Sequence, residues 1–558
     1  TPAQAMAALL PVLPGQETDQ ASVMAWGCDP DRTSIDPFHG AMDNVVTSLN
    51  KIVASGADYR KAYLTLQEFF ERLREDPRRW GKPFSALLGA LQAQLDYGTA
   101  AIGGKDSMSG SFMDKDVPPT LISFAIAPIK AGEVVSPEFK EAGHPVYRFT
   151  GRDPAEIKAA WEAFHALCLE GKVKAAWAVE DSMAEAVMKM SFGNNIGFRG
   201  EKDPEEGWFT PLYAAIVAEL TEDIDCPYAE RVGVTTAEPV IGLGDDTAPV
   251  EELLRLNEAV LEDVYPTHIG KAEKVEPITW TRATPTVMGH GIAKPRVVIP
   301  VFPGTNCEYD SARACAEAGM EAETVVIRNL SQEALRDSAL KLEEAIRNAQ
   351  IVYLPGGFSG GDEPEGSAKF IVSFLRNPRL TDALHDLLKR RDGLMLGICN
   401  GFQALVKLGL VPYGEIRDMT GESPTLTYNT IGRHQSSIVR TRVCSNLSPW
   451  LMEAGVGEIY SVPISHGEGR FIASEETLRE LALAGQIATQ YVDLEGVPTM
   501  DTAFNPNGSF LAIEGITSPD GRVLGKMGHS ERVGKTLYQN VPGNFDMGLF
   551  RSGVRYFK

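Results

Sequence analysis

Hydrophobic and polar positions follow two patterns along this chain, one with the spacing typical of helices and one typical of strands. The last region opens with a continuous apolar run at 296–302, which is typical of a parallel strand buried on both faces. Helix-like and strand-like segments then alternate, at 310–318, 321–327, 339–348, 351–354, 382–390 and 393–396. This alternation predicts a parallel sheet with helices on both faces, and polar, strand-rich segments after residue 425 predict an added antiparallel portion.

In the first 245 residues the same helix-like and strand-like patterns predict two smaller α/β units. In the first, the predicted elements are helices at 41–56, 64–73 and 85–95, a Gly/Ser/Asp-rich loop at 103–110 and a strand at 120–128. In the second, they are helices at 154–169 and 182–190 and strands at 145–150, 215–220 and 235–243. Residues 246–295 contain several prolines and little periodicity, and we interpret them as a connector. The predicted division of the chain is therefore 1–140, 141–245, 246–295 and 296–558.

Composition sets the broad class of protein. With 43% hydrophobic and 23% charged residues, the chain is typical of a soluble globular protein. Its net charge of −22, without a Lys/Arg-rich block, excludes a nucleic-acid partner, and no apolar run is long enough for a membrane span. Seven scattered cysteines without a CxxC pair indicate a reducing compartment, so we expect a cytoplasmic protein without a structural zinc site.

The segment 397–401, Gly-Ile-Cys-Asn-Gly, is the strongest chemical signal. It joins an apolar strand to a helix, and Gly-x-Cys-x-Gly is the cysteine form of a nucleophile elbow, whose strained backbone needs small neighbours. The turn places Cys399 at a helix N-terminus, which favours the thiolate, and it places the N–H of Asn400 to hold an oxyanion. A single cysteine is more often a small core residue, but the flanking glycines and the preceding strand favour a nucleophile.

A cysteine nucleophile needs a base and a group that orients the base. His529 and Glu531 are two residues apart after a strand-like run, so in an extended segment their side chains point the same way. His466 and Glu468 form a similar pair on a glycine-rich loop. The pattern alone leaves both pairs open.

The segments 354–359, 398–403 and 529–532 resemble class I glutamine amidotransferases, whose glutaminase domain has a flavodoxin-like parallel sheet. The resemblance implies that Cys399, His529 and Glu531 form the catalytic triad. It also implies that the Gly357 N–H is a second oxyanion donor and that Gln403 contacts the substrate. Ser530 stands where the family usually has proline.

Further segments resemble the phosphoribosylformylglycinamidine synthases of purine biosynthesis, in their long single-chain form. The matching segments are 301–308, 465–470, 505–509 and 548–553 for the glutaminase domain, and 36–41, 103–109 and 118–124 for the second synthetase half. Residues 1–140 and 141–245 are then aminoimidazole-ribonucleotide-synthetase-like subdomains, and 296–558 is the glutaminase. His466 and Glu468 lie on a loop that contacts substrate or another domain.

This resemblance implies a carbon–nitrogen ligase that uses glutamine, formylglycinamide ribonucleotide, ATP and Mg²⁺. A phosphate would be held by Lys105, Asp106, Ser107 and Ser109, although a polar turn capping a strand explains this sequence equally well. A family-typical metal-binding Glu is absent at 46–48, and a Gly-Gly turn is replaced at 180–183, so the metal ligands stay open. The chain begins at Thr1, and we expect that a first synthetase half precedes it and that this chain alone is an incomplete synthetase.

Two other functions compete with this interpretation. The first is an amidotransferase that serves a different acceptor, which would not require the segments at 36–41 and 103–109. The second is a non-catalytic scaffold with an idle glutaminase, which the departures at 46–48 and 180–183 favour for the first half of the chain.

Overall fold

The computed structural model describes residues 2–13, 15–201, 207–270, 272–282, 291–359, 367–534, 537–538 and 541–558. The chain divides into two compact units, Thr1–Leu261 and Glu262–Lys558. No helix among the described residues is both long and apolar enough to cross a bilayer.

The first unit begins with a five-stranded sheet of order β1-β2-β7-β3-β4. The elements of this part of the unit are β1 (Ala5–Leu9), β2 (Gln20–Gly27), α1 (Pro30–Ile35), α2 (Pro37–Ala54), β3 (Tyr63–Phe69), α3 (Pro77–Tyr97), β4 (Ala100–Ser107), β5 (Ser111–Phe112), β6 (Lys115–Asp116) and β7 (Thr120–Lys130). Strands β5 and β6 form a separate two-stranded sheet. Helix α2 begins where Asp36 accepts hydrogen bonds from two N–H groups of the first turn, with Pro37 as its first residue. Its apolar face, which includes Val45 and Leu49, is buried in the core of this unit.

Two sequence predictions in this sheet are wrong. Residues 64–73 do not begin as a helix, because β3 pairs parallel to β4 and antiparallel to β7 along its length. Residues 103–107 are not a loop but most of the edge strand β4. A Cβ at Gly104 would lie 2.4 Å from the carbonyl oxygen of Leu66, so this glycine allows close strand pairing.

The second sheet of this unit has seven strands in the order β14-β13-β10-β12-β8-β11-β9. Its elements are β8 (Pro145–Phe149), α4 (Pro154–Leu169), β9 (Val173–Ala178), α5 (Met183–Phe192), β10 (Gly197–Gly200), β11 (Ile216–Leu220), β12 (Ala229–Thr236), β13 (Val240–Leu243), β14 (Asp246–Pro249) and α6 (Val250–Ala259). Strand β14 forms an antiparallel pair with β13, so the sheet continues past residue 245. The four-part division of the chain stays a prediction, and residues 271 and 283–290 of its connector lie outside the described residues.

The second unit contains a nine-stranded sheet of order β16-β15-β17-β18-β25-β24-β23-β20-β21. Its elements are β15 (Arg296–Val301), α7 (Glu308–Ala318), β16 (Glu321–Val326), α8 (Gln332–Asn348), β17 (Ile351–Leu354), α9 (Lys369–Leu375), α10 (Pro378–Lys389), β18 (Leu394–Ile398), α11 (Asn400–Leu408), α12 (Leu410–Tyr413, kinked at Val411), β19 (Thr425–Thr427), β20 (Gln435–Val443), β21 (Ile459–His466), β22 (Arg470–Ile472), α13 (Glu475–Leu483), β23 (Ile487–Val492), β24 (Ile513–Thr517), β25 (Val523–Lys526) and α14 (Leu549–Phe557). The first five strands in this order, β16-β15-β17-β18-β25, pair in parallel. The pairs from β25 through β24, β23 and β20 to β21 are antiparallel. The predicted α/β class, with a parallel sheet followed by an antiparallel portion, is confirmed.

Strand β18, beside the central strand of this sheet, consists of apolar residues and one glycine. Every residue of β18 is buried, and the indole N–H of Trp450 donates to the Met395 carbonyl oxygen at 3.0 Å. Helix α11 packs so closely on β25 that a Cβ at Gly525 would lie 2.1 Å from the ring of Phe402. The strand that leads to Cys399 therefore belongs to the closely packed core of the unit.

Replacing Leu396 of β18 with alanine tests this packing. Because Leu396 is fully buried, Leu396→Ala should lower the free energy of unfolding of this unit by about 2–5 kcal/mol. The control is Leu340→Ala on α8, where the side chain is 44% exposed and the expected change is within about 0.5 kcal/mol. Urea denaturation followed by circular dichroism measures both, and equal losses in the two variants would contradict the assigned core.

Candidate active site

Cys399 lies on the tight turn between β18 and α11. Its backbone has φ 53° and ψ −108°, a region that residues other than glycine rarely occupy. A Cβ at Gly401 would lie 1.9 Å from the Leu354 carbonyl oxygen, and a Cβ at Gly397 would lie 2.7 Å from the Gly401 carbonyl oxygen. The turn therefore requires both glycines, as expected for a nucleophile elbow.

The strand next to β18 brings His529 to this turn. Strands β18 and β25 are parallel, with Ile398 opposite Lys526, and the N–H of Cys399 donates to the Lys526 carbonyl oxygen at 2.9 Å. The chain that follows β25 therefore leaves the sheet at the same edge as Cys399. The N–H of His529 donates to the Pro463 carbonyl oxygen at 2.9 Å, which fixes this segment against β21.

His529 and Glu531 form a buried couple. The imidazole Nδ1 lies 2.7 Å from Glu531 Oε1, and both side chains are almost fully buried. The Nε2 atom has no hydrogen-bond partner among the described residues. A Cβ at Gly356 would lie 2.7 Å from His529 Cε1 and 3.4 Å from Cys399 Cβ, so the imidazole and the cysteine flank the same glycine.

The pKa values of the two competing histidines move in opposite directions. Burial alone would lower the pKa of His529, but the Glu531 carboxylate, together with the sulfur atoms of Cys307 and Cys399, raises it well above its ordinary value. Burial, with smaller contributions from His529 and His434, lowers the pKa of His466 to about 3. His529 is therefore suited to carry a proton beside a thiolate, whereas His466 stays neutral at physiological pH.

A second buried ion pair holds the turn that carries His529. Lys526 Nζ lies 3.3 Å from Glu514 Oε1, and the same ammonium donates to the Gly528 carbonyl oxygen and to Ser530 Oγ, each at 3.1 Å. Glu514 Oε1 also accepts from the Gly528 N–H at 2.6 Å. Ser530, which replaces the usual proline of the resembling family, thus contributes a hydrogen bond to the turn.

A third buried group, the thiol of Cys307, lies beside the His529–Glu531 couple. The sequence pattern did not predict a role for this cysteine. Its Sγ lies 3.9 Å from His529 Nδ1, accepts from Arg532 Nη2 at 3.1 Å and donates to Asn306 Oδ1 at 3.1 Å. Cys307 immediately precedes α7, after the parallel strand β15. Residues at the carboxyl ends of parallel strands share one edge of the sheet, and this signal could have identified it.

A cavity of about 320 Å³ opens next to Cys399. It is lined by Gly357, Phe358, Ser367, Cys399, Gln403, Tyr428, Gly432, Arg433, His434, His466, Gly467 and Glu468. It thus brings together five of the predicted site residues, with Asn400 buried at the start of α11. Both ring nitrogens of His466 are buried without a hydrogen-bond partner among the described residues, so they are available to a ligand in this cavity.

Hydrogen bonds within the protein fix the positions of Gln403 and of the peptide at Gly357. Gln403 Oε1 accepts from Asn400 Nδ2 at 2.9 Å, and the Gln403 Nε2 donates to the Glu468 carbonyl oxygen. Gly357 has φ 144°, and the N–H of Phe358 donates to the Gly304 carbonyl oxygen at 2.8 Å, which holds the 357 peptide at the cavity wall. These bonds fix the walls before any substrate enters.

The predicted phosphate-binding residues lie in the other unit and do not form a glycine-loop cradle. Lys105 to Ser107 belong to β4, and the Lys105 ammonium contacts the Asp106 carbonyl oxygen. Ser107 Oγ and Ser109 Oγ lie 2.8 Å apart. Among the described residues, the closely spaced group of three possible metal ligands contains Cys307, His529 and Glu531, a softer set than Mg²⁺ prefers. ATP and Mg²⁺ binding at 105–109 therefore stays a prediction.

Comparison with known proteins assigns the second unit to a class. A family model described as "CobB/CobQ-like glutamine amidotransferase domain" matches residues 294–557. The Methanococcus maripaludis phosphoribosylformylglycinamidine synthase subunit PurQ is 35% identical over 244 residues, which are 43% of this chain and 82% of that protein. The Rhodospirillum rubrum subunit PurQ is 36% identical over 252 residues, 44% of this chain and 96% of that protein. The solved structure of PurLQS from Thermotoga maritima is 25% identical, with a TM-score of 0.35, over 48% of this chain and 100% of that one.

The fold, the elbow and the family match define a glutamine amidotransferase domain in the second unit. The chain belongs, through this domain, to the family of the phosphoribosylformylglycinamidine synthase subunit PurQ.

Replacing Glu531 with glutamine tests the electrostatics of the couple. Because the carboxylate outweighs the effect of burial, Glu531→Gln should lower the pKa of His529, and the ring should lose its proton at lower pH than in the parent. A pH titration of the ¹³C-labelled histidine signals measures this shift. Asp501→Asn, which removes a carboxylate 3.5 Å from His268, is the control and should leave the His529 titration unchanged. An unchanged His529 titration in Glu531→Gln would refute the assignment.

Proposed function

We propose that this chain hydrolyses glutamine at Cys399 and supplies the ammonia for ATP-dependent conversion of formylglycinamide ribonucleotide to formylglycinamidine ribonucleotide. The observation that carries the proposal is the buried His529–Glu531 couple beside a cysteine on a strained elbow. The names of the PurQ relatives support the acceptor.

The proposed glutaminase reaction uses the residues that line the turn and the cavity. The Cys399 thiolate attacks the amide carbon of glutamine, and the N–H groups of Asn400 and Gly357 stabilise the oxyanion. His529, whose raised pKa favours the imidazolium, gives its proton to the departing ammonia. The neutral ring then takes a proton from water, which hydrolyses the glutamyl thioester, while Glu531 keeps Nδ1 oriented.

The glutamine lies in the cavity next to Cys399 in this proposal. Its volume of about 320 Å³ is enough for one small amino acid. His466 is neutral and has two ring nitrogens without partners among the described residues, so it is a candidate for a hydrogen bond to the substrate. Gln403 and Glu468 complete the same wall, where the Gln403 side-chain amide donates to the Glu468 backbone carbonyl oxygen.

The synthetase reaction is assigned to the unit Thr1–Leu261 together with a first synthetase half. Formylglycinamide ribonucleotide, ATP, glutamine and water would give formylglycinamidine ribonucleotide, ADP, phosphate and glutamate. Lys105, Asp106, Ser107 and Ser109 are the proposed phosphate contacts, with Mg²⁺ bound to the nucleotide. Ammonia protonates in bulk water, so we expect an internal path from the glutaminase to the acceptor.

Replacing Cys399 tests the nucleophile. Cys399→Ala should lower the rate of glutamate release from glutamine by at least about 10³-fold, because no thioester can form. Cys444→Ala is the matched control, since Cys444 is also a buried cysteine of the second unit but lies outside the cavity lining. A coupled glutamate dehydrogenase assay measures both. Glutamate release from Cys399→Ala at the parent rate would exclude Cys399 as the nucleophile.

The two histidines should respond differently to substitution. His529→Asn should lower kcat by about 10²–10⁴-fold, since it removes the proton carrier. His466→Asn should mainly raise KM, because it removes a substrate contact and no proton transfer. If His466→Asn showed the larger loss of kcat, the roles assigned to the two residues would be reversed.

A further inference from the structure

Cys307 is a buried thiol beside the proposed catalytic residues that the glutaminase mechanism does not use. Its sulfur, a ring nitrogen of His529 and a carboxylate oxygen of Glu531 all lie within 4.8 Å of one another, and all three side chains are buried. A thiol, an imidazole and a carboxylate are the three side-chain types that bind Zn²⁺.

The spacing of these atoms is close to that of a zinc site. The Sγ of Cys307 lies 3.9 Å from His529 Nδ1, and Glu531 Oε1 lies 2.7 Å from the same nitrogen. Tetrahedral Zn²⁺, with bonds of about 2.0–2.3 Å, separates its ligand atoms by about 3.3–3.6 Å. Both of these separations are within about 1 Å of the required value. The third, between the Cys307 sulfur and a Glu531 carboxylate oxygen, is at most 4.8 Å.

A second observation points to a ligand at this place. The other carboxylate oxygen of Glu531 is fully buried and has no hydrogen-bond partner among the described residues. Such an acceptor-only group is costly to bury alone, and a cation would satisfy it. This unpartnered oxygen belongs to Glu531, the residue whose other carboxylate oxygen contacts His529 Nδ1.

Neighbouring arginine side chains contact two of the three proposed ligand residues. Arg532 Nη2 donates to Cys307 Sγ at 3.1 Å, and Arg313 Nη2 donates to the Glu531 carbonyl oxygen at 3.1 Å. Such outer contacts orient the ligands of metal sites. A Cys307 thiolate and the Glu531 carboxylate would together balance the two charges of the ion, and Mg²⁺, which prefers oxygen ligands, would bind poorly.

We infer that Cys307, His529 and Glu531 form a binding site for a soft divalent cation of the Zn²⁺ class, and that the bound cation stops glutamine hydrolysis. The ion takes His529 Nδ1 and separates it from Glu531, so the imidazole can no longer orient and carry its proton as the glutaminase requires. The binding site stands on its own geometry, whereas the inhibition rests on the proposed function.

Metal binding is tested in the full chain carrying Cys399→Ala, which removes the competing thiol. Titration with Co²⁺ should give a thiolate-to-metal charge-transfer band that saturates at one ion per chain and is displaced by Zn²⁺. Adding Cys307→Ser should abolish the band, and adding Cys444→Ser, the matched control, should leave it unchanged. A band that persists in Cys399→Ala with Cys307→Ser would refute the site.

Glu531→Gln, also in the Cys399→Ala chain, provides a second test that does not depend on Cys307. It should weaken Co²⁺ binding at least about tenfold, because one of three ligands loses its charge. Thermal unfolding followed by circular dichroism confirms that each variant is folded before titration. Unchanged affinity in Glu531→Gln would overturn the assignment of this carboxylate.

Inhibition is measured on chains that retain Cys399. Glutamate release with Zn²⁺, divided by release with EDTA for the same variant, should be at least about tenfold higher in Cys307→Ser than in the parent. Equal ratios would mean that Zn²⁺ inhibits elsewhere and would overturn the inferred effect on catalysis. If no variant hydrolysed glutamine, the proposed function would fail, and the Co²⁺ titration would still decide whether the binding site exists.

Discussion

The proposed active site depends on the parallel pairing of β18 with β25. Cys399 and His529 are far apart in sequence, yet the two strands end side by side, with Ile398 opposite Lys526. One hydrogen bond, from the Cys399 N–H to the Lys526 carbonyl oxygen, ties the elbow directly to the last residue of β25. A shift of one residue in this register would turn each following side chain to the opposite face and separate the sulfur from the imidazole.

Two kinds of interaction keep this arrangement rigid. The strained backbone of Cys399 is enclosed by close packing, since Gly397 and Gly401 leave no room for a side chain. The turn after β25 is held by the buried pair of Lys526 and Glu514, whose hydrogen bonds reach Gly528 and Ser530. A buried ion pair is stable only when its remaining donors and acceptors are satisfied, and here the turn itself provides them.

The sequence allowed the elbow and the couple to be predicted because both are local patterns. Gly-x-Cys-x-Gly after an apolar strand indicates the turn, and a His-x-Glu spacing places two side chains on one face. The local pattern left His529 and His466 open, and the family resemblance favoured His529. The structure adds that the imidazole of His529 lies beside a carboxylate. Cys307 and the Lys526–Glu514 pair were missed because the local sequence pattern does not show which residues they contact. His529 is distant from Cys307 in sequence, and Glu514 lies on the neighbouring strand β24.

The errors in the first unit have a similar origin. Gly103 and Gly104 have the composition of a loop, but β3 provides a hydrogen-bonding edge that converts the segment to a strand. The 64–73 segment has helical spacing, and pairing on both sides overrides it. Local composition could not reveal either pairing.

Acid quenching of the chain during turnover of isotopically labelled glutamine, followed by mass spectrometry of its cysteine-containing peptides, tests directly whether Cys399 is the nucleophile. A labelled glutamyl thioester is expected on the peptide that contains Cys399, with the other six cysteines as internal controls. Glutamate production with the label on the Cys307 peptide, or with no labelled cysteine, would contradict this assignment.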